Sequence, residues 1–183
     1  IDLGVGVYKD HNGYTPIMKA IKVAEKKLWA SETTKSYVGL TGDIEFHQVM
    51  IDLILGNTII PQRIAAAATP GGTGALRQGL ELIKISDPTW PNHPSIAEHL
   101  ELKVAKYRYF NKLSQSVSFD EMLIDLSNAK EGDVVLLHGC CHNPTGANLN
   151  HSQWVALAEL LCEKRLVPLI DIAYQGFGDG LLK

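Results

Sequence analysis

Several stretches of this 183-residue sequence combine side chains and backbone suited to binding chemistry. Gly71-Gly72-Thr73-Gly74 opens a segment with helical spacing. Glycines let backbone N–H groups approach an anion, a helix start favours negative charge, and the threonine hydroxyl adds a donor. The run has no Walker lysine and does not match G-x-G-x-x-G, so a phosphate cradle and a tight strand–helix turn fit it about equally. Asp171 closes the apolar run 167–170. A carboxylate at the end of a buried strand is partly desolvated and needs a cationic or donor partner. A surface or N-cap aspartate is the plainer alternative. Asn143-Pro144 follows the apolar run 134–137. It is either an ordinary turn or an amide aimed into a cleft, with a cis X-Pro bond as one option. Trp90 lies in the Pro/Asn-rich loop 88–93, as a packing anchor or as a stacking surface for a planar ligand. Tyr37 and Tyr174 stand in loops, where each is either structural or a phenol donor at the rim of the cleft.

His138, Cys140, Cys141 and His142 have the composition of a metal site but not its spacing. Tetrahedral sites pair two close ligands with two distant ones, whereas four candidates crowded into five positions diverge. Packed thiols and hydrogen-bonded histidines are the better expectation, and no metal is expected.

These residues need elements to hold them. Apolar spacing predicts helices over residues 16–29, 44–55, 74–84, 95–100, 118–129 and 152–164. Short apolar runs predict strands over 64–69, 102–109, 133–137 and 167–172. Ser118 with Glu121 three residues later reads as a capping box. A helix reaching residue 84 leaves only Ile85 and Ser86 before the turn at 87–92. There is then no room for the strand that should follow, so either that helix is short or a piece is absent. Alternating strands and helices predict an α/β domain with a mainly parallel sheet. Ligands sit at the carboxyl ends of such strands. The loops at 71–74, 138–146 and 171–178 are expected there.

Composition narrows the function classes. Seventeen Lys and Arg against 20 Asp and Glu give a net charge of −3, with no long basic run, so a nucleic-acid partner is not expected. A hydrophobic fraction of 45% supports a folded core rather than a disordered chain. No window is apolar enough for a membrane span, and no leader is expected at the N-terminus. The three cysteines are odd in number and two are adjacent, which suits a reducing, cytoplasmic setting rather than a disulfide framework.

Taken together, six stretches resemble the class I pyridoxal-phosphate aminotransferases, within them the aspartate and aromatic aminotransferase subfamily. They are LGVGVY at 3–8, TTKSY at 33–37, TPGGTGALR at 69–77, DPTWPNH at 87–93, HGCCHNPTG at 138–146 and DIAYQGF at 171–177. The resemblance implies a fold-type I pyridoxal 5′-phosphate-dependent transferase, three layers α/β/α around a mainly parallel sheet. Residues 1–14 would belong to a small domain and 15–183 to the first part of the large one. Gly72 and Thr73 would hold the cofactor phosphate and Trp90 would stack on its ring. Asn143 and Tyr174 would bond the ring's 3-oxygen, and Asp171 would pair with the protonated ring nitrogen. A nearby carboxylate keeps that proton on, which makes the ring an electron sink. His93 and His138 would orient Asp171. Tyr37 would reach the phosphate of a neighbouring subunit, which implies a homodimer with shared sites. Gly6, Trp90 and Asn143 would contact the substrate.

The resemblance also implies residues that the 183 positions do not supply. The Schiff-base lysine of the family stands in a Ser-x-x-Lys context well beyond the strand of Asp171. Lys183 lacks that context and is not assigned to it. The arginines that grip substrate carboxylates belong to the same later half. The implied activity is amino-group transfer between L-aspartate and 2-oxoglutarate, through the pyridoxamine form of the cofactor. An aromatic amino acid donor is the alternative, and a catalytically incomplete fragment is another.

Overall fold

The computed structural model describes residues 6–56, 58–79, 83–178 and 180. Its contacts divide the chain into two units, 1–69 and 70–183. The first holds α1 (Lys19–Ser31), α2 (Ile44–Leu55) and a 3-10 turn at Pro61–Arg63. Asp43 caps α2 by accepting from the Phe46 N–H at 2.8 Å. The Thr41 carbonyl accepts from the Ala68 N–H and contacts His47 Nε2, each at 2.7 Å. Gly42 has φ +99°, and a Cβ there would lie 2.6 Å from that of Ala68, so only glycine fits this turn. The strand expected over 64–69 does not form. Its sequence, IAAAAT, is apolar but alanine-rich, and alanine brings little side chain to pack on a pleated surface. α1 begins at Lys19, three residues after Pro16.

The second unit is built on a four-stranded parallel sheet with the order β2-β1-β5-β6. The strands are β1 (Ile83–Asp87), β2 (Val104–Arg108), β5 (Val134–His138) and β6 (Val167–Asp171). A hairpin of β3 (Phe110–Asn111) and β4 (Ser116–Val117) stands apart from it. The helices are α3 (Gly71–Gly79), α4 (Asn92–His99), α5 (Phe119–Ser127) and α6 (His151–Glu163). β1 corrects the expectation that no strand fits before Asp87. α3 is described over Gly71–Gly79, and β1 takes up Ile83–Asp87, positions that the expectation divided between a helix and a turn. α3 also starts at Gly71 rather than Gly74, and no strand precedes it. The glycine run is therefore the first turn of a helix, not a loop at a strand's end.

β5 explains the layering. Val135 and Leu137 join a cluster with Met122, Leu126, Leu157 and Leu161, from α5 and α6. Leu136, pointing to the other face, joins Leu76 of α3 and Ala97 of α4, with Trp90 and Leu169 against them. Successive residues of one strand thus feed two cores, and helices cover both faces. This is the three-layer α/β/α arrangement that the resemblance implies. Ser118 precedes α5 but makes no side-chain cap, so the expected capping box is absent there. The capping box stands instead on α6, where Asn150 accepts from the Gln153 N–H and the Gln153 side chain accepts from the Asn150 N–H, both at 2.9 Å.

Candidate functional site

From β1 the chain crosses to β2 on one side, and from β5 to β6 on the other. The carboxyl ends of β1 and β5 therefore flank the point where the sheet order reverses, the usual ligand crevice of open parallel sheets. Trp90 and His93 follow β1, Asn143 follows β5, and Asp171 ends β6. Register pairs His138 with Asp171 at the ends of β5 and β6.

These residues form a continuous hydrogen-bonded chain. His93 Nε2 lies 3.2 Å from Asp171 Oδ2, and His93 Nδ1 lies 2.7 Å from Thr89 Oγ1. Thr89 Oγ1 also meets His138 Nε2 at 3.4 Å, and His138 Nδ1 accepts from the Asn143 N–H at 3.4 Å. The direction follows from one fixed donor. A backbone N–H can only donate, so His138 Nδ1 is bare. Burial pushes His138 down to about 4, with His93 adding to the fall and Asp171 opposing it. His138 is then neutral at pH 7 and carries its proton on Nε2, which donates to Thr89. The threonine hydroxyl donates onward to His93 Nδ1, and His93 Nε2–H donates to the carboxylate. Thr89 is the residue that sequence reasoning missed. It lies inside the DPTWPNH motif, but nothing in its type marks it as the joint between two histidines.

His93 is fully buried, while the Asp171 side chain is 22% exposed. Trp90 meets the His93 ring edge-on at 5.4 Å between centroids and packs on the Leu76–Ala97–Leu136 cluster. Through Leu76 the same cluster seats α3, whose first turn carries Gly72 and Thr73. The Asn143–Pro144 bond is cis. Tyr174 stands three residues beyond Asp171, and its carbonyl accepts from the Phe177 N–H at 3.1 Å. Burial and the neighbouring Cys141 push the Cys140 thiol up. Among the described residues no group of three or more His, Cys, Asp or Glu is placed to hold a metal ion. Gly6 and Tyr37 belong to the first unit, and both are exposed.

One glycine positions Asp171 by its lack of a side chain. The Gly139 N–H donates to the Asp171 carbonyl at 2.8 Å, tying the loop after β5 to the end of β6. A Cβ at 139 would lie 2.9 Å from Ile172 Cγ1 and 3.1 Å from Ile170 Cγ2. Gly139→Ala is expected to force these apart and to destabilise the protein by about 1–3 kcal/mol. A urea midpoint unchanged from wild type would show that the end of β6 yields freely.

Fold and site together define a fold-type I α/β domain, with its candidate ligand crevice at the reversal of a parallel sheet. The chain belongs to the aminotransferase class I and II family, whose model matches residues 1–183. It is similar to an aromatic-amino-acid aminotransferase of Paracoccus denitrificans, 55% identical over 99% of this chain and 48% of that protein. An aspartate aminotransferase of Escherichia coli is 44% identical, over 99% of this chain and 49% of that protein. Among solved structures, an aromatic amino acid aminotransferase with 3-indolepropionic acid superposes with a TM-score of 0.95 at 55% identity, covering 99% of this chain and 49% of that one. One from Burkholderia pseudomallei, described as covalently bound to pyridoxal phosphate, superposes at 0.91 with 37% identity, covering 98% of this chain and 48% of that one. The chain spans about half the length of the relatives it matches.

Proposed function

We propose that this chain is the cofactor-binding portion of a pyridoxal 5′-phosphate-dependent aminotransferase. The observation that carries the reading is the chain from Asp171 through His93, Thr89 and His138 to the backbone of Asn143. It presents a carboxylate, held by a donor behind it, at the end of β6, the edge strand of the sheet, whose Val167 and Ile170 are exposed. The donor set fits the cofactor: an anion for a cationic ring nitrogen, a flat indole beside it, and a glycine–threonine helix start for a phosphate. When bound, the cofactor supplies an electron sink for a carbanion at the substrate's α-carbon.

The chain's own residues would each do a definite job. Asp171 keeps a proton on the ring nitrogen, because a neighbouring anion favours the charged form. His93 and His138 orient that carboxylate. Trp90 covers one face of the ring and excludes water. Asn143 and Tyr174 hold the 3-oxygen, and Gly72 and Thr73 bind the phosphate through the first turn of α3. Trp90 and Asn143 would also contact the substrate, a role that the resemblance gives to Gly6 as well. Tyr37 serves the phosphate of a second subunit, so the working form is a homodimer in the cytoplasm. Residues 1–14 belong to a small domain that meets the substrate.

The amino group moves between an L-amino acid and 2-oxoglutarate. Aspartate as the donor agrees with the E. coli relative at 44% identity. An aromatic donor is the second reading, favoured by the higher identity, 55%, of the Paracoccus relative. Titration of the purified protein with pyridoxal 5′-phosphate is expected to give saturable binding, with pyridoxal lacking the phosphate bound far more weakly. Steady-state rates with aspartate and with phenylalanine, measured on a protein that joins this portion to the family's lysine and arginines, then rank the two donors by kcat/KM. A folded protein with no saturable cofactor binding would overturn the reading.

A further inference from the structure

His142 sits beside the chain just described but takes no part in it, and it is 2% exposed. Both of its ring nitrogens are engaged. Nδ1 lies 2.9 Å from Thr145 Oγ1 and Nε2 lies 3.1 Å from Ser86 Oγ on β1. Its ring stacks on Tyr109 at 4.0 Å and 17°, and on the other side meets His138 at 4.3 Å and 46°. Tyr107 donates to the Leu136 carbonyl at 2.7 Å, and register places Ser86 beside Tyr107. Each of the two partners of the His142 ring is a hydroxyl, able to donate to a bare ring nitrogen or to accept from a protonated one, so both nitrogens are held in either tautomer. Thr145 in turn accepts from the Ala147 N–H at 3.2 Å.

A second hydrogen-bonded chain thus stands beside the first, linking Ala147, Thr145, His142 and Ser86. The two meet only where the rings of His138 and His142 touch. Tyr109 backs His142 from the far side and is itself anchored by its hydroxyl, which donates to the Ala147 carbonyl at 2.8 Å. His142 therefore cannot move without losing one of two hydrogen bonds, and while it stays His138 cannot tilt toward it.

We propose that His142 is a positioning residue, a wedge pinned at both nitrogens that sets the ring plane of His138. Through His138 it holds the Asn143 backbone and the tautomer of the chain ending on Asp171. The assignment rests on the cofactor reading above for its functional consequence, but not for its structural one. The titratable groups facing His142 are His138, His93, Tyr107 and Tyr109. His93, Tyr107 and Tyr109 are buried and His138 is half-buried, and none of the four is a carboxylate.

The test separates packing from hydrogen bonding. His142→Phe keeps the stacked ring and loses both hydrogen bonds, while His142→Gln keeps polar reach and loses the ring. Ring ¹⁵N spectra report the His138 tautomer directly, with or without cofactor. In the wild-type protein His138 is expected to hold its proton on Nε2 and not to titrate between pH 5.5 and 8, since its value is about 4. In His142→Phe it is expected to lose that fixed tautomer, and affinity for pyridoxal 5′-phosphate is expected to fall by about tenfold, the scale of one or two lost hydrogen bonds. His142→Gln is expected to restore part of both. Thr145→Val and Ser86→Ala, each removing one partner, carry the same readout if the His142 variants fail to fold. Folded variants with the wild-type His138 spectrum and an affinity within twofold of wild type would overturn the proposal. If wild-type protein binds no cofactor, the function reading fails, and the His138 spectrum alone still decides the role of His142.

Discussion

Replacing Asp171 with asparagine is expected to weaken pyridoxal 5′-phosphate binding by about 10- to 1,000-fold, because an opposite charge within hydrogen-bond reach shifts a pKa by about 1–3 units and each unit is tenfold in equilibrium. The asparagine keeps the size of the side chain and an oxygen for His93 Nε2–H, whose distance to the carboxylate is 3.2 Å. What it removes is the negative charge. The ring nitrogen would then lose its proton at neutral pH, and the electron sink with it, so turnover is expected to fall further than affinity. Two measurements separate these effects: cofactor titration of this chain gives the binding loss, and kcat at saturating cofactor, in a protein that also carries the family's Schiff-base lysine, gives the rest. His93→Phe is expected to do less, since it removes the group that orients the carboxylate and leaves the charge. An asparagine variant that binds the cofactor within threefold of wild type would show that Asp171 serves the fold alone.

How far the site could be read from sequence depends on whether its parts act locally. Asp171 and Asn143 each follow an apolar run, and such runs become parallel strands, so their places at and just beyond strand ends were legible from neighbours a few residues away; the expected burial holds for β5 but not for β6, which lies at the sheet edge with Val167 and Ile170 exposed. The glycine run at 71–74 was legible as a helix start, but not which residue opened the helix, since glycine carries no side chain to mark the boundary. β1 was harder. Ile83 and Ile85 alternate like a strand, yet they continue the spacing of the helix before them, and a five-residue strand offers too few positions to break the tie. What fixes it is a partner on each side, β2 and β5, and pairing across 20 to 50 residues leaves no local mark. The same holds for the inner chains. Ser86 finds His142 from 56 positions away, and Thr89 joins His138 from 49. The crowded spacing of HGCCHNPTG, against its metal-like composition, favoured hydrogen-bonded histidines. Only the fold shows which hydroxyls they meet.

The two loop histidines carry a cost that appears at mild acid. Burial lowers His138 to about 4 and His142 to about 3, with the neighbouring histidines adding to the fall in each case. In the unfolded chain both would titrate near about 6.5. Above that pH neither state binds the protons, and the folded protein keeps its full stability. Below it the unfolded chain takes up protons that the folded protein refuses, so stability falls as pH falls, and continues to fall until the folded values near 4 and 3 are reached. Discounted for residual solvent screening, each histidine removes roughly 1 kcal/mol per pH unit. From pH 6 to pH 4 the pair would take away roughly 4 kcal/mol, a large part of the roughly 5–15 kcal/mol that holds a typical domain. Urea unfolding at pH 7, 6, 5 and 4.5 is expected to show this decline, and His142→Phe is expected to flatten it by at least half, because it deletes one titrating group and relaxes the other. The steep loss below pH 6 is the cost of keeping two neutral imidazoles dry. It is the same dryness that leaves His138 with a single tautomer and gives the chain to Asp171 one direction. A wild-type stability that stays level from pH 7 to 4.5 would mean that water reaches both rings, and the fixed direction of that chain would go with it.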